Sequence, residues 1–185
     1  GLAHKPVTVH TAHGWAWHNF LDRKTKEKYV GYERRAAGHC QKIIVTNEKD
    51  RGKALANGVA PPGLFTLIRS GVDFSVFDPA QHDKAAARAA LGLPEKAPIV
   101  ITVGALTAQK NPLEAAQVVA HARNSFPELR WLVVGDGPLR EALHAEAERL
   151  GLGDTFQWLG LRQDIPRLLA AADVFLLTSR WEGLP

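Results

Sequence analysis

The stretch Val133-Val-Gly-Asp-Gly-Pro-Leu139 decides the fold class, because it leads from an apolar strand through a glycine turn into a helix. Pro138 stands in the first turn of that predicted helix, where its missing N–H costs no hydrogen bond. Leu139, Leu143 and Leu150 then recur on one face of the helix, which is the spacing of an amphipathic helix packed on a core. The stretch therefore predicts a strand, a tight turn and a covering helix.

The same alternation continues in both directions along the chain. The predicted strands are Val7–Val9, Lys42–Thr46, Phe65–Ile68, Ile99–Val103, Leu129–Val134, Thr155–Leu159 and Val174–Leu177. The predicted helices are Arg23–Gly38, one capped by Asn47 with Asp50 three residues on, Asp83–Leu91, Pro112–Asn124, Pro138–Leu150 and Asp164–Ala171. Continuous apolar strands that alternate with helices indicate a parallel sheet covered on both faces. We therefore predict an α/β, doubly wound fold with ligands at the carboxyl ends of the strands.

Composition and charge narrow the class of protein. Hydrophobic residues make up 45% and charged residues 23%, as in ordinary soluble globular proteins. The single Cys40 cannot form an internal disulfide, so a reducing, cytoplasmic location is expected. Residues 1–75 hold 12 Lys and Arg against 6 Asp and Glu, whereas residues 76–185 hold 11 against 13. The basic first part suggests an anionic ligand, a membrane face or nucleic acid. Because Asp22 precedes the basic run Arg23–Lys28 and Glu27 interrupts it, a solvated helix face is the favoured explanation of that run, and nucleic-acid binding gains little support.

The change in charge coincides with a turn-rich segment, Ser70–Pro79, so a domain boundary is predicted near Asp73–Pro79. We divide the chain into residues 1–75 and 76–185. The chain contains no methionine and stops directly after a predicted strand. We therefore expect an internal segment of a longer protein, with both domains incomplete.

Three loops at the predicted carboxyl edge of the second sheet are candidate ligand sites. Gly135 and Gly137 could admit a ligand close to the backbone beside a helix N-terminus, or could equally serve a tight turn. Their spacing is not the G-x-G-x-x-G dinucleotide fingerprint, so a nicotinamide enzyme is unsupported. Lys110 directly precedes a predicted helix N-terminus, where it could hold a phosphate. The alternative is a solvent-exposed loop lysine without a ligand, and this segment taken alone favours that alternative. Glu182 could bind sugar hydroxyls or stabilise a helix N-terminus.

The first part of the chain offers His10, His13 and His18. In a strand that reached His13, the side chains of His10 and His13 would point to opposite faces. No cysteine or carboxylate completes a metal site there, so no metal is expected. One histidine at the strand end could contact a polar ligand, and a core or capping histidine is an equal alternative. Trp15 and Trp17 could form an apolar lip or could simply pack.

Taken in order, these motifs resemble glycosyltransferase family 4. The resemblance covers nearly the whole chain through Thr11–Phe20, Lys42–Arg51, Val59–Phe77, Gln109–Pro112, Val134–Leu139, Leu159–Asp164 and Leu177–Pro185. It implies two Rossmann-like domains facing a cleft, the GT-B fold. It also implies a retaining, metal-independent hexosyltransferase that moves a sugar from a nucleotide diphosphate sugar to a hydroxyl of a glycan or lipid-linked acceptor, as in polysaccharide biosynthesis.

The resemblance implies a role for each candidate residue. Lys110 would stabilise charge on the leaving diphosphate, Glu182 would grip sugar hydroxyls, and His13, with His10 as the alternative, would face the sugar from the opposite domain. The donor-binding set would be Gly135, Gly137, Leu161, Arg162, Gly183 and Leu184, of which Leu161 and Arg162 match the family's base-binding loop.

Two departures from the family pattern have consequences. Ala105 stands where the family often has an arginine that pairs with the loop lysine on the diphosphate. The second glutamate of the family's two-glutamate motif would fall beyond Pro185, so we predict that this chain alone has no transferase turnover.

Two other classes of function remain open for the protein, a non-hydrolysing sugar-nucleotide epimerase and a non-catalytic nucleotide-sugar-binding module. A peripheral contact with an anionic membrane also stays open.

Overall fold

The structure is a computed structural model that describes residues 7–18 and 20–182, with Pro79 described by its backbone alone. It contains two compact units. The first comprises the described residues up to Gly71 together with Trp181 and Glu182, and the second is Val72–Arg180. This division differs from the sequence-based one at residues 72–75 and 181–182.

The first unit is built on a three-stranded parallel sheet in the order β1-β2-β3. The strands are β1 (Val9–Ala12), β2 (Lys42–Val45) and β3 (Phe65–Leu67). Helix α1 (Arg23–Ala37) joins β1 to β2, and helix α2 (Glu48–Ala56) with the 3₁₀ turn Pro62–Leu64 joins β2 to β3. The predicted cap of α2 is confirmed, since Asn47 Oδ1 accepts the Asp50 N–H at 2.7 Å.

Two tryptophans lie in the core of the first unit. Trp15 and Trp17 are 7% and 2% exposed, and their rings stack with centroids 4.5 Å apart. The indole Nε1 of Trp15 donates to the backbone oxygen of Asp50 at 2.7 Å. Of the two alternatives, packing is correct and an apolar lip is not.

The second unit is built on a four-stranded parallel sheet in the order β6-β5-β4-β7. Its strands are β4 (Ile99–Val103), β5 (Arg130–Val134), β6 (Phe156–Gly160) and β7 (Val174–Phe175). Its helices are α3 (Lys84–Ala90), α4 (Pro112–Arg123), α5 (Arg140–Arg149) and α6 (Ile165–Ala171), with 3₁₀ turns at Pro79–Gln81 and Gly153–Thr155.

Both faces of the second sheet are buried, as the continuous apolar strands predicted. Trp131 and Val133 of β5 pack on one face with Leu143 of α5. The alternate residues Leu132 and Val134 pack on the other face, in a cluster that also contains Ile99, Ile101 and Leu168. The predicted α/β class with doubly wound parallel sheets is therefore confirmed.

Three elements differ from the sequence-based prediction by two or more residues at one or both ends, whereas the other predicted bounds are within one residue. Strand β1 begins two residues and ends three residues later than predicted, β7 ends at Phe175 instead of Leu177, and α5 begins at Arg140 instead of Pro138. The late start of α5 has a local cause, since the Leu139 N–H donates to the Leu106 oxygen at 2.9 Å and holds the chain in the turn. None of the helices in residues 7–18 and 20–182 combines the length and apolar character of a membrane span.

Candidate functional site

The loop between β4 and α4 carries Lys110 at the carboxyl edge of the second sheet. The stem of this lysine lies over Gly104, because its Cγ, Cδ and Cε atoms come 3.8–3.9 Å from the place that a Cβ on Gly104 would occupy. Lys110 is half-buried, and its N–H donates to Thr107 Oγ1 at 3.4 Å. The lysine therefore lies along the strand end instead of extending freely from an exposed loop.

The segment that follows β7 contacts this loop along its backbone. Thr178 Oγ1 lies 2.9 Å from the Asn111 oxygen and 3.3 Å from the Lys110 oxygen. The Arg180 N–H donates to the Gln109 oxygen at 2.8 Å. Three consecutive carbonyls of the lysine loop are thus engaged by one neighbouring segment.

The glycine turn after β5 packs directly against the lysine loop. A Cβ on Gly135, which has a φ of 131°, would lie 1.9 Å from the Gly104 oxygen. A Cβ on Gly137 would lie 2.6 Å from the Leu106 oxygen and 2.8 Å from its nitrogen. Both glycines are therefore required by contact between two loops of the chain, which is a structural reason for their presence.

The N–H groups of this turn are largely engaged within the protein. The Gly135 N–H donates to the Gly160 oxygen at 2.8 Å, and the Gly137 N–H donates to Asp136 Oδ1 at 2.7 Å. Asp136 Oδ2 in turn lies 3.5 Å from Arg140 Nη1. An anion that took the Gly137 N–H would have to displace the Asp136 carboxylate, so Lys110 is the stronger phosphate candidate at this edge.

The end of β6 presents Leu161 and Arg162 beside the glycine turn. Leu161 is 81% exposed, although it is a large apolar residue. Arg162 forms a bidentate salt bridge with Asp164, in which Nε donates to Oδ1 at 2.8 Å and Nη2 donates to Oδ2 at 2.7 Å. These hydrogen bonds hold the pKa of Asp164 below its usual value. The guanidinium of Arg162 is therefore occupied by Asp164.

The histidines of the first unit have different surroundings. His10 Nε2 lies 3.3 Å from Glu33 Oε2 of α1, whereas His13 is exposed just after the end of β1. Since β1 ends at Ala12, the strand does not reach His13, and the condition for His10 and His13 to point to opposite faces of one strand is not met. Trp181 stacks on His18 with centroids 3.8 Å apart, and the half-buried Glu182 follows it.

The predicted site residues fall into three groups. Lys110, the Gly135–Gly137 turn and the Leu161–Arg162 segment meet at one edge of the second sheet. His13 and Glu182 belong to the first unit. Gly183 and Leu184 lie outside the described residues.

Sequence reasoning missed the contribution of Thr178. A threonine that follows an apolar strand carries no signal by itself, because its hydroxyl could face water, its own backbone or another loop. The need for support becomes visible only in the structure, where Asn111 has a left-handed backbone with a φ of 52° directly before Pro112.

Comparison with known proteins identifies the family. The family described as glycosyl transferases group 1 matches residues 83–185, which is more than half of the 185 residues. The chain belongs to the group 1 glycosyl transferases. The matched range begins at the N-cap of α3 and includes each of the three loops at the edge of the second sheet.

Two curated relatives of this group 1 chain extend the match to its first unit. The UDP-Gal:alpha-D-GlcNAc-diphosphoundecaprenol alpha-1,3-galactosyltransferase of Escherichia coli is 34% identical over 188 residues, covering 100% of this chain and 48% of the relative. The D-inositol 3-phosphate glycosyltransferase of Mycobacterium sp. (strain KMS) is 31% identical over 159 residues, covering 82% of this chain and 35% of the relative. The chain spans about half the length of the first relative.

Solved structures agree on the fold. Anabaena Alr3699/HepE in complex with UDP and glucose matches with a TM-score of 0.75 and 23% identity, over 95% of this chain and 47% of that one. WaaG, a glycosyltransferase involved in lipopolysaccharide biosynthesis, matches with a TM-score of 0.81 and 20% identity, over 95% of this chain and 51% of that one. The predicted GT-B fold is confirmed.

Proposed function

We propose that the full-length protein is a family 4 glycosyltransferase that transfers a hexosyl unit from a nucleotide diphosphate sugar to an acceptor hydroxyl with retention of configuration. The observation that carries this proposal is the placement of Lys110 over Gly104, at the carboxyl edge of a doubly wound sheet and beside the Gly135 turn. A cation fixed at that edge suits a diphosphate, since this is where such sheets bind their ligands. Membership of group 1 and a fold shared with a UDP-bound neighbour support the same reading.

The chemical step would break the bond between the anomeric carbon and the diphosphate oxygen. Positive charge develops on the sugar as negative charge gathers on the departing phosphate oxygens. The Lys110 ammonium would stabilise that negative charge, and the N-terminus of the twelve-residue helix α4 would add its dipole. We propose that these fixed charges replace a metal ion, so that transfer proceeds without one.

The remaining predicted residues would bind the donor. Glu182, with the Gly183 and Leu184 backbone, would bind sugar hydroxyls, and His13 would also contact the sugar. Leu161 supports a base-binding role, because a large apolar side chain that is 81% exposed offers a surface on which a base can lie. Arg162 would contribute its backbone, since its guanidinium is held by Asp164.

We propose a glycan or lipid-linked acceptor, as in polysaccharide biosynthesis. The acceptor printed in the name of the Escherichia coli relative, a diphosphoundecaprenol-linked GlcNAc, supports this class. We place the reaction in the cytoplasm, and the lone Cys40, whose thiol contacts the Ala36 oxygen at 3.1 Å, agrees with a reducing compartment.

We propose a peripheral contact with an anionic membrane, which the basic surface of α1 would make. This helix carries six Lys and Arg residues against two Glu, a balance equal to the net charge of +4 of the whole chain. Lys24, Lys28 and Arg35 are exposed on it, and Lys28 Nζ lies 5.8 Å from the ring centre of the exposed Tyr32. Cations interleaved with an exposed aromatic ring suit a negatively charged lipid surface.

A transfer assay tests the proposed function. The purified full-length protein would be given UDP-galactose or UDP-glucose with GlcNAc-diphosphoundecaprenol, and the anomeric linkage of the product would be assigned by NMR. We expect an α-linked product, formed equally well with and without EDTA. A β-linked product would contradict retention, loss of turnover in EDTA would contradict metal independence, and failure with every nucleotide sugar would contradict the transferase assignment.

A further inference from the structure

The loop that carries Lys110 has a conformation that its own sequence does not enforce. Asn111 adopts left-handed backbone angles, with φ 52° and ψ 55°, and it is the one non-glycine residue with positive φ in residues 7–18 and 20–182. Its side chain makes no capping hydrogen bond to α4. Asparagine tolerates this region better than most residues, yet the conformation persists only where the surroundings hold it.

Those surroundings are supplied by the segment after β7. The Thr178 hydroxyl donates to the Asn111 oxygen at 2.9 Å and lies within 3.3 Å of the Lys110 oxygen. The Asn111 oxygen also accepts the Glu114 N–H at 3.2 Å, so the hydroxyl joins the first turn of α4 to the lysine loop. Thr178 is half-buried, and its hydroxyl is a side-chain group through which this segment is bonded to residues 110 and 111.

We propose that Thr178 is a positioning residue. It acts through Lys110, because it fixes the backbone of residues 110 and 111 and so places the lysine side chain. The proposal rests on the proposed role of Lys110 toward a diphosphate. Loss of the Thr178 hydroxyl removes its contacts with the Lys110 and Asn111 carbonyls, so the backbone that places the lysine stem over Gly104 is held less firmly. Misplacement of a charge by even an ångström weakens its action on a transition state.

The chain offers a matched control for this hydroxyl. Thr102 lies on β4 of the same sheet and is 7% exposed, and its Oγ1 accepts the Trp131 indole Nε1–H at 3.0 Å. Thr102→Val therefore removes a buried threonine hydroxyl without touching the lysine loop. A purely structural effect of Thr→Val would appear at both positions, whereas an effect through Lys110 would appear at Thr178 alone.

The test compares the affinities of the full-length protein for UDP and UMP by calorimetry, because their ratio isolates the contribution of the β-phosphate. Lys110→Ala should remove most of the preference for UDP. Thr178→Val should reduce that preference about tenfold, Thr178→Ser should restore it, and Thr102→Val should leave it unchanged while lowering the melting temperature. The double variant Lys110→Ala/Thr178→Val should be no weaker than Lys110→Ala, since both changes act on one contact.

Two results would overturn the proposal in different ways. If Lys110→Ala abolishes the UDP preference and Thr178→Val leaves it intact, the positioning role is wrong and the diphosphate role of Lys110 stands. If neither variant alters the preference, the diphosphate assignment fails and the positioning role fails with it.

Discussion

A methyl group on Gly135 would lie 1.9 Å from the carbonyl oxygen of Gly104. The backbone of the turn after β5 is therefore in close contact with the backbone of the loop after β4, with no room for a side chain between them. The aliphatic stem of Lys110 also lies over Gly104, and its carbon atoms are 3.8–3.9 Å from the position that a Cβ on Gly104 would occupy. The glycine turn thus acts as a support for the lysine loop, whether or not it also contacts a ligand.

Gly135→Ala should therefore destabilise the second unit severely. The methyl group meets backbone that no rotamer change can move, and the φ of 131° is a conformation that alanine avoids. We expect a loss of about 4 kcal/mol or more in the free energy of unfolding, measured by chemical denaturation. Gly151→Ala is the control, because Gly151 has a φ of 62° but open space around it, and it should cost only about 1 kcal/mol. Equal losses for the two variants would contradict the contact.

Much of this architecture could be predicted because buried parallel strands are continuous apolar runs. Strand β4 was predicted at its observed bounds, and Asn47 was predicted as the cap of α2. Strand β1 was misplaced because it contains His10 and Thr11, polar residues that weaken the apolar pattern. His10 Nε2 lies 3.3 Å from Oε2 of Glu33, which is 23 residues away in sequence, so no local pattern reveals this contact.

The candidate site was predictable in its parts but not in its connections. Loops at the carboxyl ends of parallel strands meet at one edge, so grouping Lys110, Gly135 and Leu161 required only the fold class. The reason for the glycines and the contribution of Thr178 depend on loop-to-loop distances, which the order of residues does not encode. The predicted start of α5 was wrong for the same reason, because the Leu139 N–H donates to the Leu106 carbonyl of a neighbouring loop.

Asp173→Asn should destabilise the second unit in a pH-dependent way. Partial burial would raise the pKa of Asp173, but hydrogen bonds from Lys84 and the Ile99 N–H and the charge of Arg88 outweigh it and lower the pKa. Arg88 is 5% exposed, and its Nη2 lies 2.7 Å from Asp173 Oδ2. Arg88 would keep its hydrogen bonds to the Ala171 and Glu95 oxygens. Because the Asp173 side chain is 36% exposed and solvent screens the pair, the loss should cost only about 1 kcal/mol near neutral pH.

The sign of the pH effect follows from the lowered pKa. An aspartate in the unfolded chain has a pKa of about 3.9. When folding lowers that pKa, the ionised carboxylate stabilises the folded protein at every pH above about 3.9. This stabilisation is lost as the pH falls from there through the lowered pKa of the folded state. Denaturation should therefore show the same stability gap between wild type and Asp173→Asn at pH 7 and pH 5, and a narrower gap at pH 3. The exposed Asp154→Asn is the control and should change stability by less than about 0.5 kcal/mol. A gap that stays constant down to pH 3 would contradict the ion pair.

Neutralising the exposed cations of α1 should weaken binding to anionic vesicles. We expect Lys24→Gln/Lys28→Gln/Arg35→Gln to lose roughly a hundredfold in affinity for vesicles containing phosphatidylglycerol, since each cation near such a surface contributes about 1 kcal/mol. The full-length protein would be measured by cosedimentation at two salt concentrations, and binding should fall as salt rises.

A charge-matched control separates this surface from net charge. Lys49, Arg69 and Lys96 are exposed on other parts of the chain, and their joint replacement by Gln removes the same charge. That variant should bind vesicles almost as wild type does. Equal binding of wild type to neutral and anionic vesicles would rule out the membrane contact.

Glu182→Gln should reduce catalysis while leaving stability nearly unchanged. If Glu182 accepts hydrogen bonds from donor hydroxyls, the amide loses the charge-assisted part of those bonds, which are about twice as strong as neutral ones. We expect turnover to fall at least about tenfold, and affinity for the sugar nucleotide to fall more than affinity for the nucleotide alone. Wild-type turnover with a lowered melting temperature would instead assign Glu182 to helix capping.

The turnover number of Lys110→Ala in the full-length protein, measured with saturating UDP-sugar, tests the central claim most directly. The lysine is proposed to act on charge that develops as the diphosphate leaves, and loss of one such group raises a barrier by about 3 to 4 kcal/mol. We predict that turnover falls by about 10² to 10³, while affinity for free uridine stays unchanged and Lys96→Ala, an exposed lysine of the same unit, turns over as wild type does. Wild-type turnover in Lys110→Ala would contradict the account.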